Sequence, residues 1–344
     1  MTMLGFAALK EGGAALVTLP IPEPAPYQAL VRMRACGVCN GTDSKIIHHT
    51  FKLFDQYPTL LGHEGVGQVV RLGEKARRLR VGDLVLLPFV EGELAGFSSG
   101  WGAYCEYAVV WDLKAMLEDG VTPPDSAYAQ TLLPPDMDPV DATMIVTFRE
   151  VLSSIPRFHI ESGETVVVYG AGPVGLSFVK FLKHRGCTVV SVDISDEKAE
   201  RAKRFGADYA VNSTAVDVVA FVRDLFPQGV QSVVDAVGVN ALLNEAMGLL
   251  ADHGKICSYG ISPKLEMNLS WAPAPYNWSL TFVQFPEKKE EAAQHEEVME
   301  MIRTGELVPR DFISLVLPQG EIATAFDLVE QKKTDLKTVI EFRA

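Results

Sequence analysis

"VVVYGAGPVG", residues 166–175, runs three valines and a tyrosine straight into Gly170, Gly172 and Gly175 in G-x-G-x-x-G spacing, with an amphipathic stretch behind the last glycine. A buried strand, a tight turn and a helix start are what this order of residues predicts. Gly170 permits the turn, Gly172 lets a pyrophosphate approach the backbone, and Gly175 lets helix and strand pack closely. The helix N-terminus offers free N–H groups to the anion. Alone the motif is weak, so its surroundings decide.

Those surroundings agree. From Thr165 onward, apolar runs such as "TVVVYG", "CTVVSVD", "YAVN", "QSVVDAVG", "KICSYG" and "SLTFVQF" alternate with amphipathic stretches. Runs that are apolar on both faces imply a parallel sheet covered on both sides, an α/β doubly wound architecture. One helix is expected around 174–185, ending in Lys183, His184 and Arg185 before Gly186, where the C-terminal dipole and a left-handed cap favour them. Asp193 ends the next apolar run, 18 residues past Gly175, where a carboxylate accepts hydrogen bonds from ribose hydroxyls. A 2′-phosphate would meet like charge there, so NAD is expected over NADP. Ser195, just before "DEKAERAKRFG", is the expected N-cap of the following helix.

Ahead of this region the texture differs. Glycine and proline punctuate residues 1–115, and short β-branched runs ("QALVRMRAC", "GVGQVVRLG", "GDLVLLP", "CEYAVVW") predict a β-rich, barrel-like unit. The prolines of "EDGVTPPDSAYAQTLLPPDMDP" are expected to keep that bridge from strand or helix. "DATMIVTFREVLSSIPRF" then has helical period, expected to stop before Pro156 and to connect two domains. After Glu287, two helical stretches flank strand-like "DFISLVLP", and "KTVIEF" closes the chain as a strand expected to return to the first domain.

At 344 residues the chain exceeds what one core usually organises, so two domains are expected. A net charge of -13 argues against nucleic acid or an anionic membrane surface as partner, since both demand a basic face. A small-molecule ligand is expected. The opening "MTMLGFAALKEGG" lacks the features of a signal peptide, and the apolar uncharged stretch Thr165 to Val179 is 15 residues with three glycines and a proline, too short to span a membrane. A cytoplasmic location is expected. Five cysteines, an odd number mostly within apolar runs, are not expected to form a disulfide framework.

Cys36 and Cys39, in "ACGVCNGTDSK", leave three readings. A zinc ribbon needs a second cysteine or histidine pair at ligand spacing, and the chain has none. A redox dithiol belongs at the start of a helix in a βαβ unit, whereas this pair falls in the β-rich region. The third reading takes Cys39 as a metal ligand with a partner downstream, and "YPTLLGHEGVGQVV" places His63 and Glu64 between glycines.

"CGVCNGTD", "YPTLLGHEGVG", "VGDLV" and "GAGPVG…VD", in this order and spacing, resemble the zinc-dependent medium-chain dehydrogenase/reductase family, which includes the alcohol, polyol, sugar and threonine dehydrogenases. The resemblance covers nearly the whole chain. It implies a β-rich GroES-like catalytic domain over residues 1–150, a Rossmann domain over 151–285, and a return segment over 286–344. It makes Cys39 and His63 catalytic zinc ligands and Glu64 the neighbouring carboxylate, a direct ligand in some members. Thr42 matches the hydroxyl that bonds the substrate alcohol, and Asp43 the carboxylate that orients the ligand histidine. Cys36 then packs. Pro173, Val174, Val237 and Gly260 join Gly170, Gly172, Gly175 and Asp193 at the cofactor. The family's usual relay histidine falls near Lys45, with His48 and His49 as alternatives.

Three departures from the family pattern matter. "CNGTD" has one residue more than the usual "CxTD". The cysteine-rich lobe is missing, since "PFVEGELAGFSSGWGAYCEYAVV" holds only Cys105, so one catalytic zinc and no structural zinc are expected. The family's third-ligand position falls at Val146 or Thr147, neither a ligand, which leaves Glu64, Glu150 or Asp141 to complete the set, or no third ligand. The expected reaction is NAD-dependent oxidation of a secondary alcohol to a ketone, on a polyol, sugar or aminocyclitol. Trp101, Tyr104 and Phe54 are expected to line an apolar wall, and Asn40, Glu106 and Lys45 to address extra hydroxyls. A zinc-free quinone or enoyl reductase and a non-catalytic NAD-binding sensor share the fold. The aromatic strand in "YNWSLTFVQF" points to a homodimer or homotetramer.

Overall fold

The computed structural model describes residues 1–342. The chain forms two compact units: Met1–Thr147 together with the chain from Glu287 onward, and Phe148–Pro286. The boundary falls inside the helix Met144–Arg157.

In the second unit six strands form one parallel sheet: Thr165–Tyr169, Thr188–Asp193, Tyr209–Asn212, Val230–Asp235, Leu250–Ser258 and Trp278–Phe282. Across the sheet they run third, second, first, fourth, fifth, sixth, the doubly wound order expected for a dinucleotide fold. Parallel neighbours need crossovers, and the helices Pro173–His184, Asp196–Arg204 and Asn240–Met247 lie in those connections. Val166, Val167 and Val168 are all fully buried, so successive side chains on opposite faces both meet core. The direction of winding reverses between the first and fourth strands, where Tyr169 pairs with Asp235, and the ends of these two strands frame a crevice. Gly186, at φ 77°, closes the first helix by donating its N–H to the Lys183 carbonyl. The Ser195 side chain caps the second, accepting from the Lys198 N–H.

The first unit is built on the strand Gln28–Gly37, which pairs antiparallel with Glu64–Leu72, Tyr107–Trp111 and Lys337–Glu341. The last of these comes from the far end of the chain and also pairs, in parallel, with Ile313–Pro318. A second sheet joins the hairpin Thr2–Ala8 and Ala14–Pro20 to the short strands Thr59–Leu60 and Ser98–Ser99. Phe6 stacks on Phe326 at 5.3 Å in its core, so helix Ile322–Glu330 is packed into the same core as the N-terminal hairpin.

Two local expectations fail. The helix Met144–Arg157 contains Pro156 in place of stopping before it. A proline so near the C-terminus removes only one intrahelical bond, and the Phe158 N–H still reaches the Ser154 carbonyl at 2.9 Å. The proline-rich bridge holds a one-turn helix, Asp125–Ala129, started by Pro124, and a short strand, Thr131–Leu132, paired with Val85 and Leu86. Among the described residues no helix is long and apolar enough to cross a membrane.

Candidate metal and cofactor sites

In the second unit the glycine turn is made by backbone. Gly170 sits at φ 96°, a conformation L side chains rarely adopt, and it turns the chain from the first strand into the helix that starts at Pro173. A Cβ at Gly175 would overlap the Gly170 carbonyl oxygen, whereas one at Gly172 would meet nothing within 4 Å. Gly175 is therefore required by packing, and Gly172 leaves the open face beside the first helical turn, to which Val174 also belongs. Asp193 locks this turn from the neighbouring strand. Its Oδ2 accepts from the Ala171 N–H at 2.8 Å and its Oδ1 from the Ile194 N–H at 2.8 Å, with Lys198 Nζ 3.9 Å away.

Across the crevice, Asp235 shapes the opposing turn. Its Oδ1 accepts the N–H groups of both Val237 and Gly238 at 2.9 Å, and burial pushes its pKa up despite those bonds. Val237 is exposed there with its side chain against Gly170, and the Gly260 N–H donates to the Asp235 carbonyl at 2.8 Å. All the residues expected at the cofactor thus sit around one end of the sheet.

The first unit assembles side chains instead. Cys39 follows the strand Gln28–Gly37, and His63 and Glu64 lie at the start of its antiparallel neighbour, where Gly37 pairs with Glu64. Donor atoms of Cys39, His63 and Glu64 all lie within 4.8 Å of one another. Asp43, fully buried in the helix Asp43–Ile47, brings Oδ1 to 3.3 Å from His63 Nδ1, close but without hydrogen-bond alignment. Its other oxygen accepts from the Tyr104 hydroxyl at 2.7 Å and the Cys39 N–H at 3.3 Å. Burial pushes the His63 pKa down, but the charges of Asp43 and Cys39 outweigh it and hold the ring well above its ordinary value.

Glu64 has its own partners. Lys337 Nζ bonds both its oxygens at 2.7 Å, and the Thr147 hydroxyl donates at 3.4 Å. A Cβ at Gly37 would overlap Glu64 Oε2, so the glycine makes room for the carboxylate. Neither Glu150 nor Asp141 belongs to the donor group. Asp141 is held by Arg310 at 2.5 Å, and Glu150 lies in the other compact unit. Cys36 is fully buried, with its thiol pushed well up by burial.

Thr42 is buried at the start of the same short helix. Lys45 donates to the Gly41 carbonyl at 2.9 Å, and desolvation lowers its pKa against the opposing charge of Cys39. His48 pairs with Glu330 at 2.8 Å, and His49 stacks on Tyr57 at 3.9 Å. Trp101, at φ 72°, lays its ring 5.2 Å from that of His63. Two residues expected against substrate are engaged elsewhere: Tyr104 is fully buried on Asp43, and Glu106 accepts the Leu4 N–H at 2.7 Å. Sequence reasoning missed Lys337 and the structural part of Tyr104. The only local signal was a lysine opening an otherwise apolar closing strand, and its partner lies 273 positions away.

Comparison with known proteins adds a second line. The model for the alcohol dehydrogenase GroES-like domain matches residues 25–118, and that for zinc-binding dehydrogenases matches residues 173–302. The chain is similar to an alcohol dehydrogenase of Rhizobium meliloti, 30% identical over 76% of this chain and 78% of that one. It is also similar to L-galactonate-5-dehydrogenase of Escherichia coli, 30% identical over 70% of this chain and 71% of that one. A zinc-binding dehydrogenase of Sinorhizobium meliloti, solved with NADP, superposes with a TM-score of 0.81 over 99% of each chain at 22% identity.

Proposed function

The chain belongs to the zinc-dependent medium-chain dehydrogenase family, and from that premise we propose that it oxidises a secondary alcohol of a polyol, sugar or aminocyclitol to the ketone, using NAD and one catalytic zinc. It is an oxidoreductase acting on CH–OH groups. The observation that carries the finer reading is the convergence of a thiol, an imidazole and a carboxylate within 4.8 Å, backed by buried Asp43. This donor set suits zinc, which takes sulfur, nitrogen and oxygen ligands and in catalytic sites keeps one position open. Cys39 and His63 would hold it, with Glu64 in reach as the third donor.

Bound zinc would supply Lewis acidity toward the substrate oxygen, and bound NAD a hydride acceptor for the carbinol carbon. The protein's residues arrange the rest. Asp43 faces Nδ1 of His63 at 3.3 Å, where its charge would favour the ring proton and leave the other ring nitrogen for the metal. Thr42, beside Asp43, would relay the proton leaving the alcohol, taking it on its oxygen as it releases its own, and Lys45 on the same short helix, as the free amine, would receive it. The Trp101 ring would close one wall, and the relative named for L-galactonate supports a hydroxyl-rich substrate.

At the cofactor, the open face at Gly172 and the first turn of the helix would take the pyrophosphate. Asp193 would then meet the adenosine ribose. Its charge favours NAD, although the solved relative cited above carries NADP. Pairing of two copies through the outer edge of strand Trp278–Phe282 would continue the six-stranded sheet and cover exposed Phe282.

Metal analysis combined with reduced-cofactor absorbance over a panel of primary alcohols, secondary alcohols, polyols and sugars tests this reading. About one zinc per chain and NAD-dependent turnover of polyols or sugars is the expected result. Turnover of primary alcohols alone would overturn the substrate class. A metal-free protein whose activity survives chelation would point to the zinc-free reductases, and NAD binding without any turnover would point to a sensor.

A further inference from the structure

Lys337 and Glu64 form a buried ion pair inside the donor group, 6% and 3% exposed at their side chains. The ammonium bonds both carboxylate oxygens at 2.7 Å, and the closing strand Lys337–Glu341, paired through Val339 to Gly37, holds it there. The same carboxylate offers a donor atom within 4.8 Å of Cys39 and His63. A single group is thus claimed by two cations: the fixed ammonium and any divalent ion held by Cys39 and His63. In a buried, poorly screened setting, a cation on one donor both neutralises that donor and repels the incoming ion.

We propose that Lys337 sets how tightly this site holds its metal, by keeping Glu64 from serving as a full third ligand. The inference rests on Cys39, His63 and Glu64 being the metal group. Other charged or titratable groups packed around the pair, Asp43, Cys36 and Tyr104, remain as they are in the variants below. The arrangement gives a site of two firm ligands with a carboxylate in reserve, suited to exchange of ligands in the open positions.

The test follows metal release from full-length protein loaded with Zn2+ or Co2+, into excess chromophoric chelator. The cobalt form is checked first for thiolate-to-cobalt absorption, and folding of each variant by circular dichroism. Lys337→Met is expected to release metal at least about tenfold more slowly than wild type, because the freed carboxylate ligates fully. Lys337→Arg, which keeps the charge, is expected to behave like wild type. Adding Glu64→Gln to Lys337→Met is expected to abolish the gain and release metal at least as fast as wild type. Should Lys337→Met not fold, Lys337→Gln, of similar reach without charge, carries the same comparison. Equal or faster release from the folded uncharged variant would overturn the proposal and leave Lys337 as structural. Failure of wild type to bind either metal would instead overturn the site reading beneath it.

Discussion

The two units build their sites from opposite materials. In the dinucleotide-type unit the site is main chain: a glycine turn, a helix start and an opposing turn, each contiguous in sequence and shaped by Asp193 and Asp235 through backbone N–H bonds. In the β-rich unit it is side chains drawn from Cys39, Asp43, His63, Glu64, Tyr104, Thr147 and Lys337, gathered from strands, helices and loops far apart in the chain. A main-chain site tolerates most changes except those of shape. A side-chain site tolerates changes of shape better than the loss of a donor.

Loss of a donor is expected to have the largest effect. Cys39→Ala or His63→Ala is expected to lower turnover of the best alcohol by about 10³-fold or more, because Lewis-acid stabilisation is worth several kcal/mol. Bound metal would fall with it in plasma emission analysis, while the far-ultraviolet circular dichroism stays unchanged. If turnover survives in either variant, the side-chain site is not the reacting one.

The sharpest test of the main-chain site is a pair of glycine replacements. Gly175→Ala is expected to destabilise the fold by about 1–3 kcal/mol in denaturant unfolding, because its Cβ would overlap the Gly170 carbonyl oxygen. Gly172→Ala, with open space around its Cβ, is expected to leave stability within about 0.5 kcal/mol while weakening cofactor binding in a fluorescence titration. Equal stability losses in both would mean that the open face at Gly172 is packed in solution.

Asp43→Asn should act through His63 rather than directly. It is expected to cost about 10–100-fold in metal affinity, measured by competition with a chelator of known strength. The smallest effect is expected at Asp235. Both turn N–H groups use one oxygen, which an asparagine retains, so Asp235→Asn would shed a buried charge and keep both bonds. Because burial raises the folded pKa, wild type loses stability relative to the variant as pH rises from the unfolded value toward the folded one. The variant is therefore expected to be equal or more stable, by about 1 kcal/mol or less, at neutral pH, and the difference should close on acidification below about pH 4. Chemical unfolding at both pH values checks this.

Legibility in the sequence followed the same divide. Gly170, Gly172, Gly175 and Asp193 could be read in place because their spacing along the chain is their geometry in space. Cys39 and His63 could be named because they carry distinctive chemistry, and Asp43 only through the family resemblance, but nothing local says which atoms meet. Val146 and Thr147 stand where relatives place a third ligand, and Thr147 instead donates a hydroxyl to Glu64. Pro156 misled because a proline in the last turn removes only one intrahelical bond, and the proline-rich bridge because tertiary pairing lets Thr131–Leu132 join Val85 and Leu86.

By itself the sequence determined the doubly wound sheet, the glycine turn and the types of side chain available for chemistry, since periodicity and short-range sterics act within a few residues. Only the tertiary structure decided that Lys337 meets Glu64 across 273 positions, that Tyr104 serves Asp43, and that the donor group leaves out Asp141. Such pairings depend on how distant segments pack. For the pair on strands, a register shift of one residue would turn Lys337 or Glu64 to the opposite face.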